Sequence, residues 1–351
     1  MQKKKKKRNR IVLMVVMLTL CMFPGTTVSA RTDEVEINGV KYELDRAAGE
    51  CEATLNVKKG RAEVVIPSEI VVNGKKYKVT FFSWDDWTQD WREELGRKYK
   101  PAPGSYQALL KKITIEKGVR VSEPACHYKN LEQIIFLDPC GVSGTEYYDC
   151  PKLKKLYIPK NVRYWPVVRK CANIKISIDK SNPYLKVIDN DIYSKNGKVL
   201  YSVASKKAHY KVRKSVRTIE DGAFYKNDYI KTIYLPDSVK NVGEEAFGDM
   251  KNLKSIRFGK SIRELDYALF NRSMKLKSVT LTKNIRIIRG EFGGKKECGI
   301  KKLYIHAASL KKCSFKTLSS KCRVFVKNDK VKKQIKKSGF KGKVTVSAKM
   351  R

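Results

Sequence analysis

Few side chains in this sequence could carry acid–base or metal chemistry. The 351 residues include only three histidines, and Cys126-His127 are sequence neighbours, whereas catalytic thiol–imidazole partners usually come from distant positions. Asp189-Asn190-Asp191 resembles the start of a calcium loop but lacks the later glycine and glutamate. The sequence contains no zinc-protease helix motif and no phosphate-binding glycine loop. It therefore predicts no enzyme activity, no cofactor and no metal site.

Positive charge is the chain's most unusual property. There are 76 Lys+Arg against 35 Asp+Glu, which gives a formal net charge of +41. Such an excess implies an anionic partner or anionic surroundings. Because 42% of the residues are hydrophobic, the chain can also bury a core and is not expected to be disordered. Composition thus indicates a folded, basic binding protein.

Residues 1–30 have the pattern of a secretory signal peptide. Basic residues between Lys3 and Arg10 precede an apolar run of thirteen residues, Ile11 to Phe23, and Val28-Ser29-Ala30 provides small residues before a cleavage point. An uncleaved N-terminal anchor is the alternative. Removing the seven basic residues of this segment from a net charge of +41 leaves +34. We therefore expect a secreted protein, which could also associate with the cell surface.

A repeat of about 22 residues organises most of the chain. Apolar residues also recur three, five and nine positions after the first residue of most units, as in Ile233, Leu235 and Val239. This regularity predicts a β-rich solenoid of about nine units, with short parallel strands that bury a continuous apolar stripe. The first residues of the aligned units are Leu110, Leu131, Leu153, Ile174, Ile230, Leu253, Leu276 and Ile300.

One interval in this series is 56 residues long. There, apolar and polar residues alternate around Asn196-Gly197, which predicts a hairpin insert near 184–203 with a type I′ turn. The solenoid is expected to span 110–326.

The remaining segments are predicted to cap the solenoid. Residues 31–109 should form an N-terminal β cap with a tryptophan-rich helical insertion. Trp84, Trp87 and Trp91 would share one face of that helix, and they would either pack on the solenoid or form an exposed ligand patch. Residues 327–351 should form a C-terminal cap. Its helix would be N-capped by Asp329 and stopped at Gly339, and a strand at 344–346 would follow.

The units also resemble a known class of repeats. The segment VRTIEDGAFYKNDYIKTIYLPDSVKNVGEEAFGDMKNLKSIRF and the hairpin insert are similar to the BspA-like class of bacterial leucine-rich repeat proteins. The resemblance covers 110–326 well and 31–82 loosely. It implies a leucine-rich repeat fold and a secreted or surface-exposed scaffold for binding and adhesion. The second and third units lack the Ala-Phe pair of the class, and the first has Ala125-Cys126 instead.

The outward positions of the repeat suggest a binding surface. Lysine recurs one position after the opening residue and tyrosine often occurs four positions after it, so both are predicted to lie outside on a concave sheet. Neighbouring strands lie about 4.8 Å apart, and this is shorter than the Debye length of about 8 Å at physiological salt. The predicted partner-binding residues are Lys154, Tyr157, Lys231, Tyr234, Lys254, Arg257, Lys277, Lys301 and Tyr304.

An anionic glycan, an anionic wall polymer or an acidic protein surface fits these residues best. Three alternatives stay open: lysines that serve solubility alone, a hydrolase that uses the 83–109 insertion or the Cys and His residues, and an extracellular protein that binds nucleic acid nonspecifically.

The cysteines fit an exported protein, in which disulfides can persist. Cys150 and Cys171 each precede an opening residue by three positions, which favours buried thiols packed in the core. A bridge between these two stays open, because adjacent turns bring their Cα atoms within disulfide range. Cys313 and Cys322 are the best disulfide candidates.

Overall fold

The computed structural model describes residues 33–55, 60–84, 103–122, 125–137, 142–143, 146–163, 167–169, 171, 174–289, 292 and 298–347. All of them belong to one compact unit, Thr32–Arg351. The predicted signal peptide, together with Trp87 and Trp91, lies outside the described residues. Within the described ranges no helix is both long enough and apolar enough to cross a membrane.

The described chain begins with a strand-rich region. Its strands are β1 (Asp33–Ile37), β2 (Val40–Asp45), β3 (Glu50–Leu55), β4 (Glu63–Ile66), β5 (Glu69–Val72) and β6 (Lys75–Ser83). Tight turns connect β1 to β2 and β5 to β6, and both turns consist of an Asn-Gly pair with positive φ. This is the backbone that a two-residue type I′ hairpin requires. The N-terminal segment is therefore β-rich, as predicted.

The first repeats follow, and we call residues 60–178 the first block. A short helix, α1 (Tyr106–Leu109), precedes them. The strands are β7 (Lys112–Ile115), β8 (Arg120–Ser122), β9 (Ala125–Cys126), β10 (Gln133–Phe136), β11 (Val142–Ser143), β12 (Glu146–Tyr148), β13 (Lys155–Ile158), β14 (Val167–Arg169) and β15 (Lys175–Ile178). Parallel pairing gives the first long-strand sheet the order β15-β13-β10-β7-β4. The ladder therefore begins at β4, earlier than the predicted opening at Leu110.

Two further sheets contribute to the first block. β6, β8 and β11 pair in parallel within a seven-stranded mixed sheet that also contains β1, β2, β3 and β5, and β9, β12 and β14 form a three-stranded parallel sheet. One unit departs from the predicted alignment. The repeat alignment predicts that the residue three positions after Ile174 pairs with Leu156. Ile176, which is two positions after Ile174, pairs with Leu156 instead. Lys175 consequently lies beside Lys155.

The predicted insert is present as a three-stranded meander, which we call the insert. Its strands are β16 (Leu185–Ile188), β17 (Asp191–Ser194) and β18 (Val199–Ser202). The type I′ prediction at Asn196-Gly197 was wrong, because four residues link β17 to β18 and only Gly197 of the pair has positive φ. A two-residue turn with positive φ at both positions occurs instead at Asp189-Asn190, between β16 and β17.

The remaining repeats form the second block, residues 209–346. Its strands are β19 (His209–Lys211), β20 (Thr218–Ile219), β21 (Thr232–Tyr234), β22 (Asn241–Val242), β23 (Ser255–Arg257), β24 (Glu264–Leu265), β25 (Ser278–Leu281), β26 (Ile287–Ile288), β27 (Lys302–Ile305), β28 (Lys312–Cys313), β29 (Arg323–Val326) and β30 (Val344–Val346). The second long-strand sheet has the order β19-β21-β23-β25-β27-β29-β30. The two-residue strands β20, β22, β24, β26 and β28 line another side of the coil, which we call the short-strand side.

Equivalent positions of successive repeats point into the same core. Ile233, Ile256 and Val279, which come from three successive turns, are all buried. On the same interior, one phenylalanine per turn forms a stack whose ring centroids are 5.3 to 6.4 Å apart. Its members are Phe224, Phe247, Phe270, Phe292, Phe315 and Phe340. The apolar columns therefore form a solenoid core, as the sequence predicted.

A helix and a strand lie at the C-terminal end of the second block, and the predicted start of the helix needs one correction. The helix α2 (Asp329–Lys337) is N-capped by Asn328, whose side chain accepts a hydrogen bond from the backbone N–H of Val331. The prediction of Asp329 as the cap was wrong by one residue, and Asp329 instead occupies the first turn. Gly339 follows the helix with φ +93°. Finally, β30 adds to the sheet beside β29.

Candidate binding surface

Four predicted lysines form a column beside the second long-strand sheet. Each is exposed and is the residue immediately before a strand. Backbone hydrogen bonds stack the turns that carry them, for example from the N–H of Lys254 to the carbonyl of Lys231 at 2.8 Å. Parallel strands are about 4.8 Å apart, so the charges repeat at that interval. We call Lys231, Lys254, Lys277 and Lys301 the lysine column.

Beside it runs a row of outward side chains in strict register. Strand pairing aligns Tyr234 with Arg257, Arg257 with Thr280, and Thr280 with Tyr304. The Arg257 guanidinium carbon lies 5.2 Å from the Tyr234 ring centroid, within the range of a cation–π contact. Tyr304 stacks on Phe325 with centroids 4.9 Å apart. We call Tyr234, Arg257, Thr280, Tyr304 and Phe325 the aromatic row.

The strands also place a set of outward residues that the sequence analysis missed. Strand alternation puts the residue two positions before each member of the aromatic row on the same face. In the last two turns these are Lys302 and Arg323, which are direct neighbours in the ladder and are both exposed. The lysine column itself precedes the strands, so alternation alone does not determine its direction. The alternation rule, applied two residues back, would have identified Lys302 and Arg323.

The lysine column lacks acidic neighbours. None of its four ammonium groups forms an ion pair with any residue in the described part of the chain. Lys277 donates only to the carbonyl of Met274, at 2.6 Å. Repulsion between neighbouring exposed cations is limited to about 1 kcal/mol in water, so the column is tolerable without a partner and still attracts anions.

Two predicted residues lie elsewhere. Lys154 and Tyr157 belong to the first long-strand sheet, which ends at β15 and does not pair with β19. Lys154 forms an ion pair with Glu132 at 2.6 Å, and the Tyr157 hydroxyl donates to Asp179 at 2.6 Å. The prediction of one continuous row through all nine residues was therefore wrong, because the insert separates the two sheets.

These contacts lower the pKa values of the carboxyl groups of Glu132 and Asp179. The hydrogen bond from Lys154, reinforced by its charge, lowers the pKa of Glu132. Hydrogen bonds from Ser181 and then from Tyr157 lower the pKa of Asp179 to about 2. Both groups are thus ionised at neutral pH, and the predicted binding residues of the first block already have anionic partners within the protein.

The candidate catalytic residues occupy structural positions. His127 is 1% exposed, and its Nδ1 lies 2.8 Å from a carboxylate oxygen of Asp149, which Lys129 also contacts. Burial opposes ionisation of Asp149, but the hydrogen bonds from His127 and Lys129 prevail and lower its pKa to about 2. The pair resembles half of a catalytic triad, yet the imidazole is closed off from solvent. Its arrangement suits a buried structural contact.

The other chemical candidates are also accounted for. Asp189 pairs with Lys207 and Arg213 rather than presenting a free carboxylate. Among the described residues no group of three or more His, Cys, Asp or Glu side chains could hold a metal ion. His306 is partly buried at the end of its strand.

Six cysteines in the described part of the chain are present as thiols, namely Cys51, Cys150, Cys171, Cys298, Cys313 and Cys322. Cys150 and Cys171 are buried, as expected, and their sulfurs donate to the carbonyls of Ala125 and Tyr147. Cys313 and Cys322 are not bonded to each other. Cys313 lies on the short-strand side in β28, whereas Cys322 is buried just before β29. The predicted bridge between them is therefore absent, because the two residues belong to different sides of the turn.

A second basic column lies on the short-strand side, and the sequence analysis missed it entirely. A basic residue stands immediately before each two-residue strand in five successive turns. The repeat alignment contained the signal, because these residues follow the opening residue by ten or eleven positions, one or two beyond the last column that was aligned. We call Arg217, Lys240, Arg263, Arg286 and Lys311 the arginine–lysine column.

Comparison with known proteins identifies the repeats. The BspA type leucine rich repeat region matches residues 201–323 in six copies. These units are BspA-type leucine-rich repeats. The matched residues contain the lysine column, the arginine–lysine column and nearly all of the aromatic row. Proteins with BspA-type repeats are typically scaffolds rather than enzymes. None of the curated proteins matches the chain.

Several solved structures match the chain at low sequence identity. The pneumococcal vaccine antigen PcpA is 16% identical with a TM-score of 0.53, over 90% of this chain and 99% of that one. A leucine rich cell surface protein from Faecalibacterium prausnitzii A2-165 is 14% identical with a TM-score of 0.43, over 91% and 96%. A leucine-rich repeat protein from Eubacterium ventriosum ATCC 27560 is 15% identical with a TM-score of 0.44, over 89% and 83%. The likeness to PcpA establishes a shared fold.

Proposed function

We propose that this protein is a secreted or surface-associated binding scaffold whose second long-strand sheet holds an anionic polymer. The lysine column and the aromatic row are the binding surface. The observation that carries the proposal is the stack of Lys231, Lys254, Lys277 and Lys301, four exposed cations in register that have no acidic partner among the described residues. The family of the repeats supports a scaffold role, and the signal-like N-terminus supports export.

A linear polyanion suits this surface better than a compact ligand. The cations repeat at the strand spacing of about 4.8 Å, so successive anionic groups of one polymer can each meet a lysine. Binding would release the counterions that the column holds in solution, which makes the affinity dependent on salt. An anionic glycan or a wall polymer has this form, and an acidic protein surface is a less regular version of it.

The aromatic row adds a preference for sugar. Tyr234 lies between Lys211 and Arg257 in the strand ladder, and Tyr304 stacks on Phe325. Rings of this kind can contact the apolar faces of sugars, while the tyrosine hydroxyl groups can hydrogen-bond to polar substituents. A glycan with sulfate or carboxylate groups would use both parts of the surface.

The proposal is tested by charge reversal with a matched control. The K231E/K254E/K277E variant should bind a heparin oligosaccharide at the lysine column at least tenfold more weakly than the parent does at that site. The slope of log affinity against log salt should fall by about two to three, because each lost lysine removes about one counterion-releasing contact. The control, K330E/K333E/K341E, makes the same change in net charge at exposed lysines of the C-terminal end and should bind within twofold of the parent.

Two results would count against the proposal. Equal loss in both variants would mean that net charge alone governs retention, and unchanged heparin retention in the first variant would favour lysines that serve solubility. Binding of single-stranded DNA as tight as that of heparin at equal salt would instead favour the nonspecific nucleic-acid alternative. The hydrolase alternative would require that His127, now buried beside Asp149, become accessible to a substrate.

A further inference from the structure

The arginine–lysine column has the properties that qualify the lysine column as a binding surface, although it lies on another side of the coil. Arg217, Lys240, Arg263 and Lys311 are exposed, and Arg286 is partly buried. The turns are stacked by backbone hydrogen bonds between the column residues themselves. The N–H of Lys240 donates to Arg217 at 2.8 Å, and the N–H of Lys311 donates to Arg286 at 2.7 Å. Five cations are thus repeated at the strand interval of about 4.8 Å.

Two of the three guanidinium groups of this column are held against the turns that precede them. Nη1 of Arg217 donates to the carbonyl of Lys214 at 3.0 Å, and Nη1 of Arg286 donates to the carbonyl of Lys283 at 2.8 Å. Each guanidinium has five N–H donors, so these contacts orient the side chain and leave donors for a ligand. An oriented guanidinium loses less conformational freedom on binding than a free one.

No residue of the column forms an ion pair within the described part of the chain. The nearest acidic side chain in the strands, Glu264, is instead paired with Arg289. Arg289 comes after its strand, β26, and Arg286 precedes it. The column is therefore uncompensated, like the lysine column.

Acidic residues near the arginine–lysine column limit the width of the surface that can attract an anion. Glu220 and Glu244 follow the short strands, three or four residues after the column, and their pKa values are raised by burial and by the neighbouring carboxylate Asp221. Three or four residues of extended chain span about 10 to 13 Å, which exceeds the Debye length at physiological salt. A polyanion would thus be attracted to the column itself and repelled from the acidic flank.

We propose that the arginine–lysine column is a second, separate track for a linear polyanion. It rests on the proposed function, because it assigns the same class of ligand to a second site. The two columns lie beside different sheets, and the eight residues between Lys231 and Lys240 include a strand and a turn. One short oligosaccharide lying along a column would leave the other column free. One protein molecule would therefore hold two polyanion segments and cross-link long polymers.

Titration calorimetry with a short heparin oligosaccharide tests the second track. The parent protein should bind two oligosaccharides per chain. K240E/R263E/K311E and K231E/K254E/K277E change the net charge equally, and each should bind one. The charge-neutralising variant K240Q/R263Q/K311Q should also bind one, which controls for reversed charge. Far-UV circular dichroism and Tm should match the parent in every variant.

The outcomes separate the two proposals. One oligosaccharide per parent chain, lost in the K231E variant and kept in the K240E variant, would overturn the second track and leave the proposed function standing. A single site lost only in the K240E variant would overturn the proposed function instead. Light scattering provides an independent readout. Long heparin should form large aggregates with the parent and not with either triple variant, and aggregation that persists in the K240E variant would contradict cross-linking through this column.

Discussion

The two blocks of this solenoid share a coil and differ in how each turn is closed. In the second block a phenylalanine from each turn joins one continuous stack, and the short-strand side carries only two-residue strands. In the first block a three-stranded sheet, β9, β12 and β14, takes the place of the Ala-Phe turn. The aromatic core there includes Phe82, Trp84 and Tyr128, whose rings meet edge to face with centroids 5.2 to 5.3 Å apart. The buried apolar residues accordingly divide into two clusters that meet at the insert.

The blocks also differ in how their surface cations are used. Two cations of the first long-strand sheet have acidic partners, since Lys154 pairs with Glu132 and Lys112 pairs with Glu63. The lysine column of the second block has none among the described residues. The inward columns are held constant by packing, whereas outward residues are free to vary. A repeat match therefore predicts a core, and the binding surface must be found turn by turn.

Removing one ring from the phenylalanine stack is expected to produce the largest effect. Phe270 is fully buried and stacks between Phe247 and Phe292. F270A should lower the free energy of unfolding of the second block by about 3 to 5 kcal/mol. All four tryptophans precede β15 in the sequence, so tryptophan fluorescence reports the first block, and far-UV circular dichroism reports both.

In F270A, we expect the midpoint of the fluorescence transition in urea to stay within about 0.3 M of the parent value. Part of the circular dichroism transition should move to lower urea. The two signals should separate because interactions in repeat proteins are mostly between neighbouring repeats. The exposed Tyr267 provides the control, and Y267A should leave both transitions unchanged. An equal shift of both signals in F270A would show that the two blocks unfold as one unit.

The junction between the insert and the second block is expected to respond to pH. Asp191 of β17 is buried and accepts hydrogen bonds from the Tyr210 hydroxyl at 2.6 Å and from the backbone N–H of Ser205 at 3.0 Å. Burial raises the pKa of Asp191 from 3.8 to about 7, even though these hydrogen bonds oppose the shift, and the nearby carboxylate of Asp189 adds to it.

The folded protein therefore binds more protons at this site than the unfolded chain does between about pH 4 and pH 7. Its contribution to the free energy of unfolding falls as pH rises through that window and levels off above it. A shift of about three pKa units corresponds to roughly 4 kcal/mol. Denaturant titrations of D191N at several pH values should lack this fall. Parallel pH profiles for D191N and the parent would contradict the assignment.

The smallest expected effect concerns the first block. If the ion pair with Glu132 is what keeps Lys154 from binding polyanions, E132Q should raise heparin affinity by about twofold. Exposed ion pairs contribute at most about 1 kcal/mol, so the stability should change little. E52Q removes the same charge from an exposed position in β3 and serves as the control. An equal rise in both variants would show that net charge, and not release of Lys154, accounts for the gain.

The repeat columns were predictable because each inward position is repeated many times. Ile233, Ile256 and Val279 are buried as the spacing required, and the cap helix, the closing strand and the insert were located to within a few residues. Local turn geometry was harder to predict. The chain reverses at both Asp189-Asn190 and Asn196-Gly197, but the two-residue turn forms at the first, and four residues link the strands at the second.

The binding surface was predicted only in part. Seven of its nine residues lie together on the second sheet, but Lys154 and Tyr157 do not. The 56-residue interval located the insert, but the spacing did not show that one sheet ends at β15 and a separate sheet begins at β19. The arginine–lysine column was missed for a simpler reason. Its residues follow the opening residue of each unit by ten or eleven positions, and the repeat columns used for the prediction end at the ninth position.

The amino-acid order alone determined the period, the inward columns and the excess of positive charge, because burial of an apolar stripe depends on spacing that recurs within each unit. Tertiary structure decided which cations find acidic partners and on which side of the coil the unpaired cations gather. Those outcomes depend on contacts between residues that are one or more turns apart, and neighbouring sequence does not encode such contacts.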